Sequence, residues 1–210
     1  MPIENLIFLT IFIPALVGGF NLIFDKSPNL RDSITLLGAL ITFYFSINIF
    51  LGFDGQATQY KLVTIMPGVD IAFHIEPLGI IFSLLASGLW ILTHIYAIGY
   101  MRGAKEKNHS RFFLFFSVSI ASVMGISFSG NLFTLFLFYE LLTLITFPLV
   151  SHKGSSEALR GARVYLSILL GTSIGLQLLG IIWIYFSVGT LDFVKGGILI
   201  GSFGSIELII

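Results

Sequence analysis

The sequence predicts an all-α integral membrane protein of about six transmembrane helices with a small extracytoplasmic β-hairpin. Three observations carry this. Of 210 residues, 56 % are hydrophobic and only 10 % are charged, against roughly a quarter in an ordinary soluble domain, and the mean hydropathy is +0.97. Six apolar runs, each about 18 to 25 residues long, are enough to cross a hydrocarbon core of ~30 Å. Between the second and third runs lies a stretch whose pattern belongs to strands and a tight turn.

The elements follow in chain order. The N-terminus, "MPIENLIFLTIFIPALVGGF", has no basic n-region and no small-residue cleavage site, so it reads as a retained first span and not as a signal peptide. The runs cover 6–24, 33–52, 77–101, 112–129, 131–151 and 163–187. Charge and turn signals separate them: "DKSPNLRD", "MRGAKEKNHSR", "SGN" and "SHKGSSEALRGAR". The segments "QYKLVTI" and "DIAFHI" flank "MPGV", where Pro67 and Gly68 suit the central positions of a type II turn; this places a hairpin at 58–76. The tail 188–210, which includes Glu207, is expected to lie outside the membrane or to begin a further helix.

Eleven basic and eleven acidic residues cancel, which gives nucleic acid or an acidic substrate nothing to bind. There is no cysteine, and His74, His94, His109 and His152 lack ligand-like spacing. No cofactor, metal or redox centre is therefore expected in this chain. Lys26, Arg31, Arg102, Lys105, Lys107, Arg111, Lys153, Arg160 and Arg163 fall in the connections 25–32, 102–111 and 152–163, while only Lys61 and Lys195 fall on the other side. By the positive-inside rule those three loops are cytoplasmic, and the N-terminus and hairpin are extracytoplasmic.

One residue breaks the pattern. In "LFLFYELLTLITF", Glu140 lies nine residues into the run 131–151, about 13 Å along a helix axis and hence near the bilayer midplane. A charge there costs about 2.5 to 3.5 kcal/mol on insertion scales, so the group needs a partner, a proton or water. Counting depth on the neighbouring runs singles out Ser122, Thr172 and Ser173, with Thr143 one turn along the same helix. A carboxyl poised between neutral and charged forms suits proton uptake and release; its competing role is that of a permanently protonated packing acid. The other notable residues read as structural. His94 is interfacial or packed, Gln177 bonds between helices, "GTSIG" at 171–175 permits close helix approach, Glu76 caps the third helix ahead of Pro77, and Pro14 and Pro148 kink their helices.

The segments "HIEPLGIIFSLLASGLWILTHIYAIGYMRG", "RFFLFFSVSIASVMGISFSGNLFTLFLFYELLTL", "EALRGARVYLSILLGTSIG" and "GTLDFVKGG" resemble, in order and spacing, the N-terminal half of the proton-conducting antiporter-like subunits. That family includes the A-type and D-type members of Mrp monovalent cation/proton antiporters, with the D branch the nearer, and the large membrane subunits of respiratory complex I. The resemblance implies about fourteen helices built from three N-terminal helices and two inverted five-helix repeats with broken helices. On that scheme 1–102 is the N-terminal three-helix segment and 103–187 the start of the first repeat. It also implies that Glu140 occupies the position of a glutamate that pairs with a lysine of the seventh helix; this chain stops at Ile210, about where that helix should begin. The implied function is ion translocation, of protons with Na⁺ or K⁺ as coupled ion, by a subunit or half-subunit in the cell's inner membrane. Its partners would be other membrane subunits, with a separate polypeptide supplying the C-terminal half. The alternatives are a subunit of a complex I-like or membrane-bound hydrogenase-like redox-driven pump, and a non-conducting structural subunit.

Overall fold

A computed structural model describes residues 3–56 and 58–199; Glu207 and the rest of the tail beyond 199 lie outside the described residues. The chain is a multi-pass membrane protein with six helices long and apolar enough to span, plus one two-stranded sheet. The helices are α1 (Ile3–Ile23), α2 (Pro28–Gly52), α3 (Pro77–Gly103), α4 (His109–Ser127) and α5 (Leu132–Val150), then a sixth span formed by α6 (Ser156–Thr172), a π-helical turn (Ser173–Leu178) and α7 (Leu179–Val188). The hairpin strands are β1 (Thr58–Met66) and β2 (Val69–Ile75).

The sixth span differs from its expected start at 163. The hydropathy window opens there, but the helix begins seven residues earlier because Ser155 is an N-cap whose hydroxyl accepts from Ala158 N at 3.1 Å, with Glu157 in the first turn. Half of the expected cytoplasmic loop is thus a polar helical turn. Pro28 and Pro77 begin α2 and α3, where the missing N–H costs nothing.

Helices α1 to α4 form one tight unit: α1 packs along both α2 and α4, and α3 bridges α2 and α4. Its core at the hairpin end comprises Leu6, Ile7, Ile11, Ile49, Ile80, Met124 and Phe128, closed by Phe73 and Ile75 of the hairpin. The hairpin turn needs Gly68, whose φ is +78° and where a Cβ would collide with Gly189 O. Strand β2 is stitched to the α4–α5 turn. His74 N donates to Phe128 O at 2.7 Å, Gly130 N to Ala72 O at 2.8 Å, and Asn131 Nδ2 to Asp70 O at 2.7 Å. The segment after α7 joins the same cap through Leu132 N to Leu191 O at 3.0 Å.

At the end opposite the hairpin lies a buried charge cluster whose members read as loop charges in the sequence. Asp32 is bound by Arg31 at 2.7 Å and by Arg102 at 2.5 Å. Arg31 also reaches Ser110 at 3.2 Å and lies 5.1 Å from the Phe113 ring; Ser110 in turn donates to Asp25. The α1–α2 loop, α2, α3 and α4 are thereby tied together.

Arg31 is 2 % exposed, so stripping its carboxylate strands a buried cation. Asp32→Ala is expected to destabilise the chain in detergent by about 3 to 5 kcal/mol, whereas Arg102→Ala, whose side chain is 44 % exposed, costs about 1 kcal/mol or less; thermal unfolding compares them. On the other side, Lys61 bonds Asp70 at 2.5 Å, and this bond holds the Asp70 carboxyl below and the Lys61 ammonium above their usual ranges. A depressed folded carboxyl gives stability that is present at neutral pH and lost as pH falls through the folded value; a raised ammonium gives stability lost as pH rises through it. Amide protection in the hairpin, the slowing of exchange relative to the unfolded chain at the same pH, is therefore expected to be greatest between those limits and to fall at both extremes.

Candidate functional site

Glu140 is the ninth residue of the nineteen in α5, which puts it about 12 Å from the first residue along the axis and at mid-span. The start of α5 is rigid: the Asn131 side chain accepts from Thr134 N at 2.7 Å, and the Thr134 hydroxyl accepts from Ala72 N at 3.0 Å. Depth is therefore set from the hairpin. Further along, Pro148 deprives α5 of one backbone donor two turns from Glu140 on the side away from the hairpin.

The Glu140 side chain is half-buried, and its Oε1 is enclosed with no hydrogen-bond partner. The four hydroxyls singled out beside it divide in two. Ser122 on α4 and Thr143 on α5 are buried in helices that pack together. Thr172 is exposed and Ser173 buried, and both stand where α6 passes into the π-helical turn. None of the four is hydrogen-bonded to Glu140. Ser122 donates to Val118 O at 3.1 Å, Thr172 to Ile168 O at 2.9 Å, and Ser173 to Leu170 O at 3.3 Å, each within its own span.

The π-helical turn itself is not legible in the sequence. It lies in the sixth span against α5, and such single turns widen the helix and occur often at functional sites. The only signal was "GTSIG", whose small residues permit the departure. Gln177, within this turn, makes no bond to another helix, contrary to expectation, since the turn leaves it half-exposed on a loosely packed span. His94 is packed, not interfacial: its Nε2 lies 3.2 Å from Asp32 O and its ring meets Phe113 edge-on at 5.0 Å. Among the described residues no cluster of three or more His, Asp or Glu could hold a metal.

A half-buried, unpartnered carboxyl at mid-membrane, beside a π-helical turn in a multi-pass bundle, defines the class as a membrane protein with an intramembrane acid. The comparisons with known proteins narrow this. The family described as NADH-Ubiquinone oxidoreductase (complex I), chain 5 N-terminus, matches residues 66–113, and that described as NADH:quinone oxidoreductase/Mrp antiporter, TM, matches 129–203. The chain is 27 % identical over 202 residues to the D-type member of the Na(+)/H(+) antiporter of Alkalihalophilus pseudofirmus, with 94 % of this chain and 40 % of the relative covered. It is 32 % identical over 195 residues to a protein of Staphylococcus epidermidis named as antiporter subunit mnhD2, covering 90 % and 38 %. A chain in the structure of the membrane-bound sulfane sulfur reductase, an archaeal respiratory membrane complex, shares the fold with a TM-score of 0.73 at 20 % identity, over 88 % of this chain and 28 % of that one. Over about 90 % of its length the chain is thus similar to the antiporter-like membrane subunits of Mrp antiporters and complex I. It spans about 40 % of the length of the curated antiporter relatives it matches.

A packing acid would stabilise its surroundings, whereas an unpartnered one does not. Glu140→Leu is expected to raise the stability of the chain in detergent by about 1 to 3 kcal/mol, the cost of a stranded buried polar group. A lowered thermal midpoint would assign Glu140 a structural role.

Proposed function

We infer that this chain is an ion-translocating subunit, or half of one, of a multisubunit Mrp-type cation/proton antiporter. The observation that carries the reading is the Glu140 carboxyl, enclosed at mid-span without a partner, in a chain whose relatives are antiporter subunits. With no fixed counter-charge among the described residues, the carboxyl alternates between a neutral form suited to the bilayer and a charged form that needs water or a cation. The cycle is one proton taken up and one released. Ser122, Thr143, Thr172 and Ser173, on α4, α5 and the sixth span, are the hydroxyls that water at Glu140 would reach.

In this reading the protein sits in the cell's inner membrane with the loops at 25–32, 102–111 and 152–163 cytoplasmic, following nine basic residues against two. Its partners are further membrane subunits, and Na⁺ or K⁺ is the exchanged ion. A second reading, a subunit of a redox-driven complex I-like pump, is favoured by the match of residues 66–113 to the complex I chain 5 N-terminus, and it keeps Glu140 in the same role.

Glu140→Gln keeps the shape and removes the proton. It is expected to abolish pH-gradient formation by inverted vesicles carrying the assembled complex while subunit co-purification stays intact. An unchanged gradient sinks the proposal for Glu140, and a gradient driven by NADH instead of by added Na⁺ or K⁺ selects the second reading.

A further inference from the structure

Glu76 was expected to cap α3, yet the structure gives it a different setting. It occupies the N-cap position, but its side chain makes no cap hydrogen bond, and no ion pair among the described residues involves it. Glu76 instead lines a cavity of about 450 Å³ between the start of α3, the end of α4, the start of α5 and Phe193 of the segment after α7.

The chemistry of this cavity is lopsided. Its remaining polar side chains are Ser127 and Ser129. Both hydroxyl protons are already committed, to Val123 O and Gly125 O at 2.8 Å each. Among the side chains, what faces a ligand is therefore a carboxylate and two hydroxyl oxygens, all acceptors, with no cation. The free first-turn N–H groups of Leu78 and Gly79 are the donors beside them. Side chains alone thus favour a donor-rich cation, and an adjoining anionic group could meet the start of α3. A primary ammonium, with three donors and one positive charge, complements the set.

The rest of the wall is hydrocarbon, including Leu78, Phe82 and Leu135. Leu78 and Phe82 are exposed toward the bilayer one above the other on α3, so the apolar wall runs about 6 Å inward from the helix start. A hydrated metal ion would meet mostly carbon on these walls. An amphiphile with an ammonium at the interface and a chain pointing into the membrane meets both halves.

We propose that this cavity is a binding site for a lipid with a primary-amine headgroup, of the phosphatidylethanolamine class, in the leaflet on the hairpin side, with Glu76 holding the ammonium. The site is separate from Glu140, and its occupant is selected by donor count as well as charge. Gly79 contributes by closeness: a Cβ there would collide with Ser127 O, so glycine brings α3 against the end of α4 to shape the cavity floor.

The test uses the whole chain purified in detergent and native mass spectrometry, with four lipids of identical acyl chains whose headgroup nitrogen carries zero, one, two or three methyl groups. Charge stays constant along the series while donors are removed. Retention of the unmethylated lipid is expected to exceed that of the trimethylated lipid about tenfold, the size of one charge-assisted hydrogen bond, and to fall stepwise between them. Glu76→Gln is expected to flatten the series without lowering the thermal midpoint. A flat series on the unaltered chain overturns the proposal, and that measurement stands even if the variant fails to fold. A preference that survives Glu76→Gln, or a cavity filled by a partner protein in the complex drawn from membranes, overturns it as well.

Discussion

In a bilayer no water is at hand to satisfy a stranded polar group, and this constraint shapes nearly every polar contact in the chain. Serines and threonines inside the helices turn their protons back on their own carbonyls, as Thr10 does to Leu6 O at 2.6 Å and Thr42 to Gly38 O at 2.8 Å. Charges near the membrane ends are gathered and neutralised, two arginines on Asp32 at one end and Lys61 on Asp70 at the other. Backbone that leaves helical register at the α4–α5 turn finds partners in strand β2 and in the segment after α7. Among the described residues seven buried side-chain atoms are left without a partner, on Asn21, Trp90, His94, Ser117, Glu140 and His152, and Glu140 Oε1 is the one carboxyl oxygen among them.

The hairpin cap gives this carboxyl its depth. The hairpin has no span of its own, yet its second strand, the Asn131 side chain and the Thr134 hydroxyl settle where α5 starts. A helix with a fixed origin and a fixed rise delivers its ninth residue to one depth. Tyr185, whose hydroxyl donates to Pro67 O at 2.9 Å, ties the outer end of the sixth span to the same hairpin. The acid and the π-helical turn are thus both measured from one platform.

Spans and hairpin could be read from the sequence because hydropathy and turn chemistry are local properties. What escaped reading depends on contacts between distant segments. Arg31 and Asp32 look like loop charges beside "SPN", and only the approach of Arg102 and Ser110 turns them into a buried cluster. The helical start at Ser156 was hidden by its own polarity, since a cytoplasmic first turn carries charge whether or not it is helical. Glu140 was found for the converse reason: a carboxylate amid leucines and phenylalanines is anomalous in one dimension. Its surroundings were not found, because depth counting shows which residues share a level and not which way their hydroxyls turn.

The packing is uneven in a way that bears on the acid. In α1 and α4, 44 % of the spanning window is buried, against 17 % in α5 and 11 % in the sixth span. Glu140 therefore lies on the boundary between a consolidated four-helix unit and two helices that mostly face outward. One side of its environment is held by α4, whose Gly125 admits the Phe138 ring where a Cβ would collide. The other side is set by whatever meets the open faces of α5 and α7. The depth of the acid is held by α4 and the hairpin, while the contacts on its other side are made by whatever packs on those open faces.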